Sequence, residues 1–293
     1  MNENQIPYIT FNPETTENFG FEIVPIEKIR RGKNNQLHDP EQPHQLKFYN
    51  LIYFTAGSGS HFIDFNWFPV QKHSLIYLTK EQVNAFDFSG NLDGFCMIFT
   101  EDYFIDCFAN LSKDFVFRLF NPQLFSPILQ IPKTSDFNDY FKLLQKEYIN
   151  SDMFNQKSII NALFTILISK AETIKQSQTL YIKESSKIIT FQKFTALIEI
   201  HLTQSRNASF YANELAMTYK HLNSICKELV NKTAKNVIDD FIILQAKRRL
   251  INSNIKSTEL AYHLGFEDAT NFTKYFKKHT GFTPKSFLKS LSK

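Results

Sequence analysis

Short apolar runs separated by turn residues fill the N-terminal third of this 293-residue chain. Between about residues 21 and 100, the runs KFYNLIYFT, HSLIYLT and GFCMIFT alternate with turn stretches such as AGSGS and SGNLD. Strands of about four to eight residues rich in Phe, Tyr and Ile, bounded by Gly, Ser, Asn and Asp, are typical of a β-sandwich or a small barrel. No helix-length periodic segment interrupts these runs.

From about residue 137 the apolar positions take helical spacing. The segments FNDYFKLLQKEYI and MFNQKSIINALFTILISKAETI are predicted helices, and the second places Met153, Ile160, Leu167 and Ile174 seven residues apart. Such a seam either pairs with its counterpart in a second copy of the chain or covers the sandwich, and both alternatives stay open at this point. The polar stretch KQSQTLYIKESSK (175–187) is the predicted linker to a series of further helices.

The C-terminal part contains an internal repeat. YANELAMTYKHLNSICKELVNKT (211–233) aligns with LAYHLGFEDATNFTKYFKKHTGFT (260–283), at an offset of 49 and then of 50 after the turn. Asn231 pairs with Gly281, and these are the residue types that best tolerate the positive φ following a helix. Each copy is therefore predicted to be a helix, a tight turn and a second helix, the helix-turn-helix arrangement whose second helix enters a major groove.

Capping residues predict where the helices of copy two begin. Ser257 is the predicted N-cap of the first helix and Asp268 that of the second, because their side-chain oxygens suit the free N–H groups of a first turn. Pro284 is predicted at the first position of a closing helix, where a missing N–H costs nothing.

The second helix of copy two has one aromatic and one polar face. Ala269, Phe272 and Phe276 share a face by their spacing, so the opposite face presents Thr270, Asn271, Thr273, Lys274, Lys277 and Lys278. Asn is suited to adenine, Lys to the acceptors of guanine and Thr to the methyl group of thymine. The outer lysines Lys277 and Lys278 are expected to contact phosphate.

Charge is distributed unevenly along the chain. The sequence from Lys187 to Lys293 holds 17 Lys and Arg against 8 Asp and Glu, whereas the remainder holds 16 against 21, within a total net charge of +4. This asymmetry indicates a polyanionic partner for the basic C-terminal part. A lysine-rich solvated face is the alternative explanation.

These residues resemble the AraC/XylS family of bacterial transcription regulators. The resemblance covers roughly residues 191–291 and is carried by ELAYHLGF, NFTKYFKKHTGFTP and the connecting FIILQAKRRLINS. It implies two helix-turn-helix units joined by one long helix, about 234–253, that read successive major-groove segments on one face of double-stranded DNA. The family's base-facing positions fall on Lys220, Asn223 and Ser224 in copy one, and on Thr270, Asn271, Thr273 and Lys274 in copy two.

Copy one departs from the family pattern in its turn and in its second helix. Ala216 replaces the frequent turn glycine, and Ser224 and Cys226 stand where family members often carry Arg and Phe. The contacts of copy two are therefore better supported than those of copy one.

The N-terminal stretch PHQLKFYNLIYFTAGSGSHFIDF is similar to the start of the cupin-like jelly-roll regulatory domain of many family members. This resemblance implies a small-molecule effector pocket, or a sensing and dimerising role. The candidate ligand contacts are large side chains with a polar tip in strand-like segments: His44, Tyr49, Tyr53, Trp67 and Tyr77. Ordinary packing is the alternative explanation for each of them.

Neither a metal nor a cofactor is expected. The N-terminal histidines are isolated and form no H-x-H pair of the kind that holds a transition metal: His38, His44, His61 and His73. The cysteines are odd in number and lack C-x-x-C spacing, which indicates buried thiols in a reducing compartment: Cys96, Cys107 and Cys226. The sequence shows no secretory signal and no run of about 18 apolar residues, so a cytoplasmic protein without a membrane partner is expected.

Together these patterns predict a two-domain α+β protein. Residues 1–135 form a cupin-like β-sandwich for effector sensing, 136–186 a helical dimerisation segment and linker, and 187–293 an all-α double helix-turn-helix domain. The expected function is that of a sequence-specific DNA-binding transcription regulator, an activator by family analogy and not an enzyme, with a homodimer, a small-molecule effector and RNA polymerase as further partners. The alternatives are a cupin-type metal-dependent enzyme with a helical appendage and a protein-interaction module, whose binding to DNA would depend little on salt.

Overall fold

The computed structural model describes residues 6–11, 20–32, 39–108, 120, 126–150, 155–178, 185–252 and 255–291. These residues fall into two compact units, one within Pro7–Tyr181 and one within Ile182–Lys293, with Ile6 grouped with the second. His38, Met153 and the middle of the predicted linker, 179–184, lie outside the described residues.

The N-terminal unit contains two five-stranded sheets. Its strands are β1 Tyr8–Ile9, β2 Phe21–Pro25, β3 His44–Leu46, β4 Tyr49–Ala56, β5 Ser58–Ile63, β6 Asn66–Gln71, β7 Ser74–Leu78, β8 Val83–Phe86, β9 Asp93–Phe99 and β10 Ile128–Gln130. Sheet 1 has the order β1-β3-β8-β5-β6 and sheet 2 the order β10-β7-β4-β9-β2. Neighbouring strands are antiparallel except for β1 and β3, which are parallel.

The two sheets pack face to face around a shared apolar core. Sheet 1 contributes Leu46, Ile63 and Phe86 to this core, and sheet 2 contributes Ile52, Ile76 and Cys96. Two short helices, α1 Ile26–Gly32 and α2 Glu101–Phe108, belong to the same unit. The predicted β-sandwich is confirmed.

Two longer helices, α3 Phe137–Ile149 and α4 Gln156–Gln178, cover the outer face of sheet 2. A second core forms there because β4 is buried on both faces: Ile52 points into the sandwich, whereas Tyr53 packs against Phe137 and Phe141 of α3. Ile160 and Leu167 of α4 lie in this second core. Of the two alternatives for the apolar positions seven residues apart, Ile160 and Leu167 therefore follow the one in which the helix covers the sandwich.

The C-terminal unit is all-α. Its helices are α5 Ser185–His201, α6 Ala208–Glu214, α7 Tyr219–Val230, α8 Ala234–Asn252, α9 Ser257–His263, α10 Ala269–Thr280 and α11 Pro284–Leu291. The pairs α6–α7 and α9–α10 are the two predicted helix-turn-helix units, and α8 is the predicted joining helix, so this part of the fold prediction is confirmed. No helix in the described part of the chain has the length and apolar character needed to cross a membrane.

Candidate nucleic-acid interface

The two helix-turn-helix units have matching hydrogen bonds in their turns. The Met217 N–H donates to the Ala212 carbonyl at 3.0 Å, and the Phe266 N–H donates to the Ala261 carbonyl at 2.9 Å, which is the predicted offset of 49. The aligned apolar residues are also buried alike: Ala212 and Ala261, Leu222 and Phe272, Cys226 and Phe276. The internal repeat is therefore a repeat in three dimensions.

Each second helix begins at a side-chain cap. The Thr218 hydroxyl accepts a hydrogen bond from the His221 N–H at 3.2 Å at the start of α7. The Asp268 carboxylate accepts one from the Asn271 N–H at 2.7 Å at the start of α10. The prediction for Asp268 is confirmed, and the caps fix the ends of the helices that present the candidate base contacts.

Each second helix also ends at a left-handed residue. Asn231 follows α7 with φ of 53° and Gly281 follows α10 with φ of 78°. Their N–H groups donate to the carbonyls of Lys227 and Lys277, which the repeat also pairs. The predicted pairing of Asn231 with Gly281 is confirmed.

The first helix of copy two departs from the capping prediction. Lys256 occupies the cap position with extended backbone angles, and the helix begins at Ser257 itself. The Ser257 prediction is wrong because the backbone becomes helical one residue earlier than the side-chain chemistry indicated. Pro284 does open α11, as predicted.

The predicted contact residues of α10 differ in their surroundings. Thr270, Lys274 and Lys277 are exposed to solvent. Asn271 is exposed as well, but its side-chain amide donates to the Asp268 carboxylate at 2.6 Å. Thr273 is half-buried and its hydroxyl donates to the Ala269 carbonyl at 2.8 Å. Hence Thr270 and Lys274 are the predicted base contacts of α10 whose side chains are exposed and not engaged in the bonds just described.

In α7, Lys220 and Ser224 are exposed, whereas Asn223 has a second task. The Asn223 side-chain oxygen accepts a hydrogen bond from the Ala234 N–H at 3.1 Å and so holds the first residue of α8. Copy two needs no such bond, because Pro284 occupies the position equivalent to Ala234 and has no N–H. Asn223 can therefore offer a base its amide nitrogen and the remaining lone pair of its side-chain oxygen.

A group of charged and aromatic side chains between the two helix-turn-helix units was not predicted from the sequence. Asp239 of α8 is only 6 % exposed, and its carboxylate accepts a hydrogen bond from the Tyr275 hydroxyl at 2.6 Å. Burial, and then this hydrogen bond, raise the pKa of Tyr275. Together with Lys235, Lys278 and other residues, these side chains line a cleft of about 850 Å³. One feature of the sequence indicates this group. Tyr275 is a large aromatic residue beside the buried face of α10, at a position where a fully solvated helix surface would not be expected to carry one.

Comparisons with known proteins agree with this geometry. A family model described as a helix-turn-helix domain matches residues 211–290. An uncharacterized HTH-type transcriptional regulator from the cgkA 5' region of Pseudoalteromonas carrageenovora is 30% identical over 118 residues, which cover 40% of this chain and 69% of that protein. The chain belongs to the AraC-type family of helix-turn-helix transcriptional regulators.

More distant relatives match over shorter parts. The HTH-type regulator YobQ of Bacillus subtilis is 29% identical over 111 residues, covering 38% of this chain and 46% of its own length. The activator RhaS of Escherichia coli O157:H7 is 23% identical over 90 residues, covering 31% of this chain and 32% of its own. The chain thus spans less than half of either relative. Among solved structures, ToxT from Vibrio cholerae has a TM-score of 0.47 and 12% identity, covering 92% of this chain and 98% of that one.

This AraC-type regulator is accordingly a DNA-binding transcription regulator, and its relatives are regulators rather than enzymes. Within the described residues, no group of three or more His, Cys, Asp or Glu side chains could hold a metal ion. The enzyme alternative gains no support from the relatives, and the family function favours DNA binding over a protein-interaction module.

The five candidate ligand contacts of the regulator do not come together in one place. Tyr53 and Tyr77 are buried in the core between sheet 2 and the helices, and Tyr49 packs against the same core. His44 lies in sheet 1, with its Nδ1 3.0 Å from the Gln42 carbonyl. Trp67 is 57% exposed on β6.

The interior of the sandwich also holds polar side chains that are not among the five candidate ligand contacts. His61 is fully buried against Phe86, and neither of its ring nitrogens has a hydrogen-bond partner. Burial, and then the nearby His44, lower the pKa of His61 to about 3. The side-chain oxygens of Asn50 and Asn84 are buried without a partner as well. Buried polar atoms of this kind are uncommon in apolar cores and need an explanation.

Proposed function

We propose that the regulator reads two adjacent major-groove segments, one with α7 and one with α10. The proposed base contacts are Lys220, Asn223 and Ser224 in α7, and Thr270, Asn271, Thr273 and Lys274 in α10, with Lys277 on the phosphate backbone. The observation that carries this proposal is the two-sided character of α10. Its aromatic face, with Phe272 and Phe276, is fully buried, so its polar face is the one left for a partner.

The chemistry of that polar face fits duplex DNA. Thr270 and Lys274 lie one turn apart on the exposed side of α10, in the half of the helix that a recognition helix inserts first. A lysine amine donates to guanine acceptors, and a threonine offers a hydroxyl and a methyl group. The positive net charge of the surrounding C-terminal sequence supports the attraction of a polyanion.

The test is the binding of full-length Lys274→Ala to duplexes selected by the wild-type protein from a random-sequence library. The variant is expected to lose about 1–3 kcal/mol of binding free energy, because a base contact is removed from an exposed position. Lys193→Ala is the matched control, since it removes an exposed cation from α5, outside both reading helices. Equal affinities of Lys274→Ala and the wild type would refute the assignment.

We further propose that the N-terminal unit binds an effector inside the sandwich. His44 is the predicted contact with the strongest support, because it lies on the inward face of sheet 1 beside His61 and Asn84. The charged residues that are buried in the described part of the chain lie outside the sandwich interior: Glu172 and Lys175 are on α4, and Asp239 is on α8. A neutral ligand that both donates and accepts hydrogen bonds fits the polar atoms of this interior.

The same proposal assigns a function to each part of the chain. Residues 1–135 sense the effector, 136–186 dimerise and 187–293 bind DNA. Ile159 and Ile166 support pairing with a second copy, because they lie seven residues apart and exposed on α4. The name of RhaS, a transcriptional activator, supports activation. RNA polymerase as the partner and the cytoplasm as the compartment complete the proposal.

A further inference from the structure

Asp239 of α8 connects α10 to the helix that joins the two helix-turn-helix units. We call α7 the first and α10 the second recognition helix. The Tyr275 hydroxyl donates to one carboxylate oxygen of Asp239 at 2.6 Å. Nε2 of His279, one turn further along α10, lies 3.9 Å from the other oxygen. Lys235, one turn earlier on α8, pairs with the same carboxylate. One turn of α10 is therefore hydrogen-bonded to a buried acid, and the next turn lies beside the same carboxylate.

The first recognition helix is attached to the same end of α8. Asn223 of α7 accepts the hydrogen bond of the Ala234 N–H at 3.1 Å. Ala234 and Asp239 are five residues apart, which along an α-helix is about 7.5 Å. Both recognition helices are thus anchored within the first one and a half turns of α8, so this short stretch connects their positions.

Contacts between the loop before α6 and copy two complete the arrangement. The Tyr275 ring lies 5.2 Å from the Phe266 ring, and the guanidinium of Arg206, in the loop before α6, lies 3.9 Å from the centre of the Phe266 ring. Gly265 in the turn of copy two packs on the Thr203 backbone, where an added Cβ would lie 2.5 Å from the carbonyl oxygen. The chain of contacts runs from the loop before α6 through Tyr275 to Asp239.

These contacts determine how the reading face of α10 is directed. The hydrogen bond from Tyr275 to Asp239 restricts the rotation of α10 about its own axis as well as its distance from α8, and His279 lies beside the same carboxylate one turn later. Thr270 and Lys274 belong to the same rigid helix and turn with it. A buried carboxylate with fixed partners holds this geometry better than apolar packing alone, because hydrogen bonds depend on direction.

We propose that Asp239 is a positioning residue that fixes the spacing and relative rotation of α7 and α10, and thereby restricts the regulator to DNA sites with one separation between their two elements. The inference rests on the proposed reading of DNA by both helices. Each base pair added between the two DNA elements shifts and rotates one element relative to the other, so two rigidly connected recognition helices cannot contact both elements at the new spacing. Two loosely connected recognition helices can contact both.

The test compares full-length variants on a series of duplexes. A duplex selected by the wild-type protein is shortened or lengthened by one and two base pairs between its two elements. Tyr275→Phe removes only the hydroxyl that Asp239 binds, and Asp239→Asn keeps the shape of the acid. Asp240→Asn is the matched control, because it makes the same chemical change in an exposed neighbour that pairs with Lys232 at 2.6 Å.

The wild type and Asp240→Asn are expected to lose at least about tenfold in affinity at a change of one base pair. Tyr275→Phe and Asp239→Asn are expected to bind the duplex with the original spacing several-fold more weakly than the wild type does. The fold loss of affinity that altered spacing causes is expected to be at least threefold smaller in these variants than in the wild type. A uniform loss across the series would mean a purely structural role and would overturn the inference. A wild-type protein that already tolerates altered spacing would overturn it too.

The two proposals fail in different ways. If Lys274→Ala binds as tightly as the wild type, the proposed reading of bases by α10 fails. If Lys274→Ala weakens binding while Tyr275→Phe keeps the wild-type spacing profile, only the positioning role of Asp239 fails. Thermal unfolding of each variant above the assay temperature verifies that the compared proteins are folded.

Discussion

Ala216 and Gly265 occupy the same position in the two turns and show what one methyl group costs there. Both have positive φ, 53° for Ala216 and 73° for Gly265. Only glycine adopts this region without a steric penalty, and for other residues it costs about 1–2 kcal/mol. The Ala216 N–H still makes the turn hydrogen bond to the Asn213 carbonyl at 2.9 Å, so copy one keeps the turn at the expense of strain.

Ala216→Gly is therefore expected to raise the free energy of unfolding by about 0.5–1 kcal/mol, the relieved strain minus the larger entropy of glycine in the unfolded chain. Urea unfolding of the full-length protein measures it. Gly265→Ala is the counterpart and is expected to destabilise, because a Cβ there would meet the Thr203 carbonyl. A loss of stability in Ala216→Gly would show that the turn is not strained.

His61 makes the stability of the N-terminal unit sensitive to acid. Its pKa is lowered to about 3 in the folded protein, from 6.5, because the buried ring resists protonation. Between these values the unfolded chain binds the proton more readily, so stability falls as the pH falls from about 6.5. The loss attributable to His61 is about 2 kcal/mol at pH 5.

His61→Leu is expected to remove this contribution. The free energy of unfolding should then fall by about 2 kcal/mol less between pH 7.5 and pH 5 than in the wild type, as measured by urea unfolding at each pH. Because only the change in the free energy of unfolding between the two pH values is compared, any pH-independent effect of the substitution on stability cancels. Identical pH profiles would mean that the pKa of His61 is the same in the folded and the unfolded protein.

At the scale of elements, the sequence predicted the repeat well because its signals are local. The cap at Asp268 and the helix ends at Asn231 and Gly281 depend on residues within one or two turns of each other, and the offset of 49 and then 50 comes from the repetition of such local signals. The β-sandwich followed from the spacing of short apolar runs in the same way. Ser257 failed by a single residue, the usual margin for helix ends.

The location of the tyrosines could not be predicted, because β4 is buried on both faces. In Leu51, Ile52, Tyr53 and Phe54 every side chain is apolar or aromatic, so the alternation does not reveal which face lines the sandwich. The helices that cover sheet 2 decide it, and they come some 80 residues later in the chain. The Asp239 network was missed for a similar reason, since it joins residues 36 apart.

Asn223 links two elements and supports a prediction at this scale. Asn223→Ala is expected to cost about 1 kcal/mol of stability, because the first N–H of α8 loses its side-chain acceptor. Thr273→Ala, at the equivalent position of copy two, is expected to cost less, because Pro284 needs no acceptor. Chemical unfolding of both variants measures the difference. Equal losses would contradict the asymmetric role of the two positions.

At the scale of the whole molecule, the uneven charge and the duplicated fold lead to one conclusion. The C-terminal sequence is basic and builds two copies of a reading unit, whereas the remainder is acidic and builds a sandwich covered by helices. Two units on one joining helix are expected to recognise a two-part DNA site, with elements about 10 base pairs apart from centre to centre.

The most direct measurement is selection of bound duplexes from a random-sequence library by three full-length proteins: the wild type, Lys220→Ala/Ser224→Ala and Thr270→Ala/Lys274→Ala. The wild type is predicted to select two short elements about one helical turn apart. Each double variant is predicted to lose the base preference in one element, a different one for each, and to retain it in the other. Selection of unrelated sequences by the wild type, or the same change in both variants, would contradict the reading of DNA by α7 and α10.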